Sequence, residues 1–325
     1  MRKSIAIVAA LFAITAALAA PGAALAQGYP NRPISFIWPY AAGSLSDVAW
    51  RSIVQEASRR IGQTIVFENR PGAGGRLGFD VIMRAKPDGY IIGAAPNALT
   101  TVQPLIDPKL YVEPDKHYVQ LVTGIETYLL FVARSSAPFR DLNGLIAYAK
   151  SNPGKLNAGT PGAGTGSHLA MAMLSARAGI DYTTVHYKGS APVMTAMLSG
   201  EVDITVADPA AKPHIDSGRL VGIATTGPQR WNVFPALPTM QEAGAAGFYF
   251  ASWHGVIVPI GLPADVGAVL NKVFNEALAT PELKSRLEAA GWVVKGGTAA
   301  EATALIRSEL EALRPVIRAA NIKLD

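Results

Sequence analysis

Residues 156–170 read Leu156-Asn157-Ala158-Gly159-Thr160-Pro161-Gly162-Ala163-Gly164-Thr165-Gly166-Ser167-His168-Leu169-Ala170: a short strand, a glycine-rich turn and the start of a helix, with no lysine or arginine among them. Glycine lets the backbone approach a ligand closely, and the opening turn of a helix leaves amide N–H groups without intrahelical partners. Those donors, with the positive end of the helix dipole, suit an oxyanion. A triphosphate would normally need a lysine and a metal, so the missing cation points to a carboxylate held by neutral donors. A strand feeding a helix through such a turn is also the repeating unit of an α/β sheet, and the chain repeats it on both sides.

Downstream, strands are expected over 183–187, 202–207 and 220–225, with helices over 167–178 and 191–198; a helix running to Ser151 precedes the turn. An earlier series alternates in the same way, with strands at 34–38, 64–68 and 90–94 and helices at 47–61 and 77–85. Such alternation implies parallel strands covered by helices. Two apolar runs, 128–132 and 248–258, are long enough to pass from one series to the other. Beyond them the tail is helical: Val266, Val269, Leu270, Val273, Phe274, Ala277 and Leu278 share a face, and Thr298-Ala299-Ala300-Glu301 forms a capping box. The expected architecture is α/β, with one lobe from 27–127 and 253–325, a second from 128–252, and two crossover strands as the hinge of a clamp.

The start of the chain has the form of an export leader. Met1-Arg2-Lys3 is basic, Ile5 to Ala20 is almost wholly apolar, and Ala24-Leu25-Ala26 fits a cleavage site before Gln27. The apolar run is at the short limit for a membrane span and runs at once into Pro21-Gly22, so cleavage after Ala26 and a periplasmic location are expected. The chain has 325 residues and no cysteine, so neither a lipid-modified cysteine nor a disulfide is available. The formal charge of +5 falls by two, to +3, when Arg2 and Lys3 leave, and no basic run follows. Nucleic acid is therefore not an expected partner.

Several segments, in order over nearly the whole mature chain, resemble one family, the periplasmic solute-binding proteins of tripartite tricarboxylate transporters. They are Tyr29-Pro30 to Pro33-Ile34, Pro39-Tyr40-Ala41-Ala42-Gly43-Ser44-Leu45-Ser46-Asp47, Glu68-Asn69-Arg70-Pro71-Gly72-Ala73-Gly74-Gly75, Lys86-Pro87-Asp88-Gly89-Tyr90, Gly164-Thr165-Gly166-Ser167-His168-Leu169-Ala170 and His186-Tyr187-Lys188-Gly189-Ser190-Ala191-Pro192. The resemblance implies a two-lobed type II binding fold, monomeric and without a cofactor. Such a protein closes on a small mono-, di- or tricarboxylate and hands it to membrane permease subunits. It also implies that two loops, one per lobe, hold the ligand through backbone amides and Ser or Thr hydroxyls. The first corresponds to Tyr40, Ala42, Gly43, Ser44, Leu45, Ser46 and Asp47, the second to Gly164, Thr165, Gly166, Ser167 and His168. In the first loop the family usually has a proline and paired glycines, and this chain departs from that with Ala41-Ala42-Gly43-Ser44-Leu45, so Leu45 would narrow the pocket or add an apolar wall. Trp38, Tyr40 and Trp253 would either accommodate an aromatic or long aliphatic ligand body or belong to the core.

Most of these residues have an ordinary structural role open to them as well. Ser44, Ser46 and Asp47 precede a helix, where such residues cap. His168 falls in the first helical turn, where it would orient the loop or touch the ligand. Tyr187 and Asp208 follow strand ends, where open α/β sheets place ligand loops; Asp208 would meet a ligand hydroxyl or amine, or cap the turn before Pro209. Lys188 is the only cation in these loops, and a long side chain on a surface turn is usually solvated. Gly72-Ala73-Gly74-Gly75 follows a strand, but Leu77 stands where the last glycine of a dinucleotide fingerprint belongs, so a tight turn is expected.

An enzyme finds little support. Ser167 and His168 are helix neighbours that diverge by about 100°, a poor nucleophile and base. There is no G-x-S-x-G elbow, and His117, His168, His186, His214 and His254 show no metal-pair spacing. A binding protein that reports its ligand to a membrane sensor kinase is the other alternative, and a neighbouring permease gene would argue against it.

Overall fold

The computed structural model describes residues 28–110 and 112–319; the leader expected over 1–26 lies outside them. Eleven strands form two sheets among the described residues. The first holds β1 (Ile34–Trp38), β2 (Ile65–Asn69), β3 (Ile91–Pro96), β4 (Tyr118–Tyr128), β10 (Ala251–Pro259) and β11 (Val293–Gly296), in the order β11-β4-β10-β3-β1-β2. The second holds β5 (Leu130–Arg134), β6 (Asn157–Thr160), β7 (Thr183–His186), β8 (Ile204–Ala207) and β9 (Leu220–Thr225), in the order β7-β6-β8-β5-β9.

Strands joined by a helix pair in parallel, as the alternation requires: β1 with β2 and β3, β6 with β7 and β8. The strands of the two alternating series are thus parallel as expected, and the sheets become mixed only through the crossing strands. β10 runs antiparallel to β3 and β4, β11 to β4, and β5 to β8 and β9. The cause is that the crossing strands enter each sheet from the other lobe and not through a right-handed helical crossover.

Each sheet is covered on both faces. On the first, α1 (Leu45–Ile61) and α8 (Ala264–Leu278) bury Trp50, Ile53, Leu270 and Phe274 against Ile34 and Phe36, while α2 (Arg76–Met83) packs Phe79 and Ile82 on the other face beside Tyr118 and Trp253. Phe36 stacks on Trp50 at 5.5 Å and meets Phe274 at 5.9 Å. On the second sheet, α5 (Gly166–Ala178) buries Leu169 and Met171 near Phe131, and α6 (Ser190–Ser199) buries Val193 and Met197 near Val132.

Two segments cross between sheets. β4 ends at Tyr128 and β5 starts at Leu130, while the return passes Phe250 into β10. Thr226, fully buried, ties them together. Its hydroxyl accepts from the Leu129 amide (2.9 Å) and donates to the Phe250 carbonyl (2.7 Å), while its own amide donates to the Leu129 carbonyl (2.8 Å). The last helix, α10 (Ala299–Ala319), opens on the expected capping box: Thr298 N donates to Glu301 Oε2 at 2.7 Å and Glu301 N to Thr298 Oγ1 at 3.2 Å. It does not keep to one lobe, because Ile306 and Leu310 join the Tyr118–Trp253 core whereas Leu313 and Ile317 join the core of Phe131 and Leu169.

Between those two halves, Glu309 accepts from Asn97 Nδ2 (2.7 Å) and from Trp253 Nε1 (3.1 Å), with the Thr101 hydroxyl 2.7 Å away. Burial pushes its carboxyl up to about 7, against those three bonds, which favour the charged form. His254, in β10, is the opposite case. Burial pushes its imidazole down to about 3, and the neutral ring accepts from Trp50 Nε1 at 3.1 Å.

Candidate functional site

Strand polarity places both candidate loops at the lobe junction. β1 and β3 are parallel, and β10 is antiparallel to both β3 and β4, so the loop after β1 emerges at the end of the sheet where β4 departs for the other lobe. β6 is parallel to β8, which is antiparallel to β5, so the loop after β6 emerges where β5 arrives. Ligand loops of open α/β sheets occupy these carboxyl ends. Gly166 stands close to the crossing itself: a Cβ there would lie 3.1 Å from Phe250 and 3.4 Å from Leu129.

In the first loop Ser44 caps α1, its hydroxyl oxygen accepting from Asp47 N at 3.1 Å. Asp47 is 2 % exposed, and its carboxylate is committed to the loop. It accepts from Gly43 N (3.1 Å), Asn69 Nδ2 (2.8 Å) and Arg51 Nε (3.1 Å). Burial acts to raise its pKa, but the bonds from Asn69, Gly43 and Arg51 outweigh it and hold the carboxyl below its usual range. Asn69 also donates to the Tyr40 carbonyl at 2.9 Å, which fixes the loop at both ends. The sequence showed Asn69 as part of a matching segment without disclosing this bridging role. Ala42, Gly43, Ser44 and Leu45 are exposed, with Gly43 at φ 94° where a side chain would be strained. The amides of Leu45 and Ser46 open the helix and have no intrahelical acceptor. The Ser46 hydroxyl makes no hydrogen bond among the described residues, and the Ser44 hydroxyl keeps its proton to donate.

The second loop uses its hydroxyls internally. Thr165 caps α5, accepting from His168 N at 3.4 Å and donating to the Gly162 carbonyl at 2.8 Å. Ser167 donates to the Val206 carbonyl of β8 at 2.5 Å, and His168 Nδ1 accepts from Gly164 N at 3.2 Å while its ring meets His186 edge-on at 4.9 Å. In this arrangement the loop offers the amides of Gly166 and Ser167 and no hydroxyl proton from Thr165 or Ser167.

Tyr187 donates its hydroxyl to Glu201 at 2.7 Å, and Asp208 caps a short 3₁₀ turn by accepting from Ala210 N at 2.8 Å. Pro209, next in the chain, approaches Gly291 of the first lobe, where a Cβ would lie 3.0 Å from it. Lys188 is exposed. Gly72 to Gly75 form the expected tight turn, packed beneath Tyr40. Trp38 and Trp253 are 1 % exposed and belong to the core. No group of three or more potential metal ligands occurs among the described residues, and none of their helices is long and apolar enough to cross a membrane.

Comparisons with known proteins agree with this geometry. Protein BugT of Bordetella pertussis is 32 % identical over 320 residues, 97 % of this chain and 96 % of its own. The solved structure of Rpa4515 of R. palustris with adipate superposes with a TM-score of 0.78 at 26 % identity, covering 91 % of this chain and all of the other. MatC of Rhodopseudomonas palustris with bound malate gives a TM-score of 0.75 at 28 % identity, covering 89 % and 100 %. Residues 49–322 match the tripartite tricarboxylate transporter family receptor, and with two α/β lobes joined by two crossings the chain belongs to that family of solute-binding proteins.

Proposed function

We propose that this chain captures a small organic carboxylate between its lobes in the periplasm and delivers it to the membrane subunits of a tripartite tricarboxylate-type transporter. The observation that carries this reading is the pair of helix starts, α1 and α5, one per lobe, at the junction end of their sheets and furnished with neutral donors. The amides of Leu45, Ser46, Gly166 and Ser167 and the hydroxyls of Ser44 and Ser46 bind the carboxylate. Asp47, Thr165 and His168 keep the loops in shape. Adipate and malate in the two similar structures are acids of the right class and size. Closure of the clamp brings the two sets of donors onto one ligand, and no bond of the ligand is made or broken.

A thermal-shift screen over mono-, di- and tricarboxylates tests this reading. A ligand at about 100 times its Kd adds about 2.7 kcal/mol of stability, a clear rise in melting temperature. A screen in which a sugar or an amine stabilises the protein and no carboxylate does would refute it. Loss of uptake of the identified acid on deletion of the permease genes tests delivery, and retained uptake would refute it.

A further inference from the structure

A second cavity lies beside the hinge, apart from both loops. Its volume is about 370 Å³, and its lining comes from both lobes: Arg230 and Trp231 from one, Trp292 and Lys295 from the other, together with Tyr128 at the end of β4. No residue of 40–47 or 162–168 lines it. We infer that this cavity is a binding site for a small planar organic anion, such as an aromatic carboxylate, and that its occupation holds the two lobes at one angle.

Three observations meet there. The first is unsatisfied polarity: the Trp231 and Trp292 indole N–H groups are buried without a hydrogen-bond partner among the described residues, although buried indoles normally have one. The second is charge. Arg230 and Lys295 both line the cavity with side chains about half exposed, each paired with a carboxylate, Glu242 at 3.2 Å and Glu126 at 3.4 Å. Glu288 also lines the cavity, so the wall carries two cations and one anion. The third is composition: the aromatic residues Tyr128, Trp231 and Trp292 all belong to the lining, with Tyr128 and Trp231 packed edge-to-face at 5.7 Å. The volume falls within the range of small-molecule sites.

The link to lobe angle is covalent and short. Arg230 and Trp231 follow Thr226, whose bonds pin both crossings, and Gly227 packs so closely on Tyr128 that a Cβ there would lie 2.5 Å from the ring. From the other lobe, Lys295 is bonded to Glu126 of β4, the strand that becomes the first crossing. Rotation of the lobes must therefore change the distance between the walls, and a ligand touching both favours one distance.

Benzoate is the probe. Calorimetric titration of the full protein should show saturable one-to-one binding, with a change in tryptophan fluorescence that Trp231→Phe reduces and a narrowed distribution of sizes in solution scattering. Arg230→Gln and Lys295→Gln should each weaken benzoate binding about two- to fivefold. Arg230→Gln alters an exposed side chain, so its effect is separable from misfolding. Ser46→Ala, which removes a donor from the first loop without touching either crossing, should leave benzoate affinity unchanged. Absence of saturable binding up to about 10 mM, unchanged affinity in both charge variants, or weakened benzoate binding in Ser46→Ala would overturn the site. Binding that leaves the scattering profile unaltered would overturn the coupling to lobe angle.

Discussion

Replacing Asp47 by asparagine tests whether the first loop owes its shape to one carboxylate. The Asp47 oxygens accept from Gly43, Asn69 and Arg51 at 2.8–3.1 Å, and the side chain is almost fully buried. Asparagine keeps the volume but turns one acceptor into an NH₂ donor, which then faces either the Asn69 amide or the Gly43 N–H. One bond to a charged acceptor is lost and one donor left unpaired, worth about 2–3 kcal/mol. The Arg51 contribution is small because that side chain is 45 % exposed. The predicted loss appears twice, as a fall of about 2–3 kcal/mol in urea-unfolding free energy and, where the loop rearranges instead, as a 10- to 100-fold loss of ligand affinity by calorimetry. Asn69→Asp in the Asp47→Asn background returns a donor–acceptor pair and should recover part of either loss. An Asp47→Asn protein with wild-type stability and wild-type affinity would refute the assigned role.

Ser46→Ala removes a hydroxyl bonded to nothing else among the described residues, so calorimetry should show a loss of about 0.5–1.5 kcal/mol in affinity, with unfolding free energy unchanged. Thr165→Val should lower stability by about 1 kcal/mol through loss of the α5 cap, as read from urea unfolding. Thr226→Val deletes the hydroxyl that bonds both crossings, and scattering should show a broader range of lobe angles together with about 1–3 kcal/mol lost in unfolding. In the pH profile, His254, held down to about 3, makes stability rise with pH from about 3 to 6.5, because the unfolded chain binds the extra proton there. Glu309, held up to about 7, makes stability fall as pH rises from 4.5 to 7, because the folded chain retains the proton. The two slopes oppose each other between pH 4.5 and 6.5, so Glu309→Gln should expose a rise of about 1.4 kcal/mol per pH unit that the parent protein lacks; equal slopes in the two proteins would refute the assignment.

Much of the fold was legible because period and punctuation agree locally. The run at 220–225 is β9 residue for residue, and the Thr298–Glu301 capping box forms as the pattern dictates. What local pattern does not encode is partnership at a distance. The antiparallel entry of β10 depends on a chain returning from another lobe, and the division of α10 between two cores depends on which surfaces meet it. The same limit applies at the site. The sequence singled out both loops as candidates, with a hydroxyl at Thr165 and at Ser167, but it did not show that Gly162 and Val206 take those protons. Nor did it show that Asn69, twenty-two residues from Asp47, completes the first loop.

The claim that neutral donors grip a carboxylate is tested most directly by calorimetry on an acid and its amide. The tightest-binding acid from the screen is compared with the primary amide of the same skeleton, on the parent protein and on Lys188→Met. An amide sets an NH₂ donor against amide donors in a desolvated site, so it should bind about 5- to 150-fold more weakly than the acid, and Lys188→Met should bind the acid as the parent does. An amide that binds as well as the acid, or a Lys188→Met protein that has lost most of its affinity, would contradict the neutral cradle and require a salt-bridged site in its place.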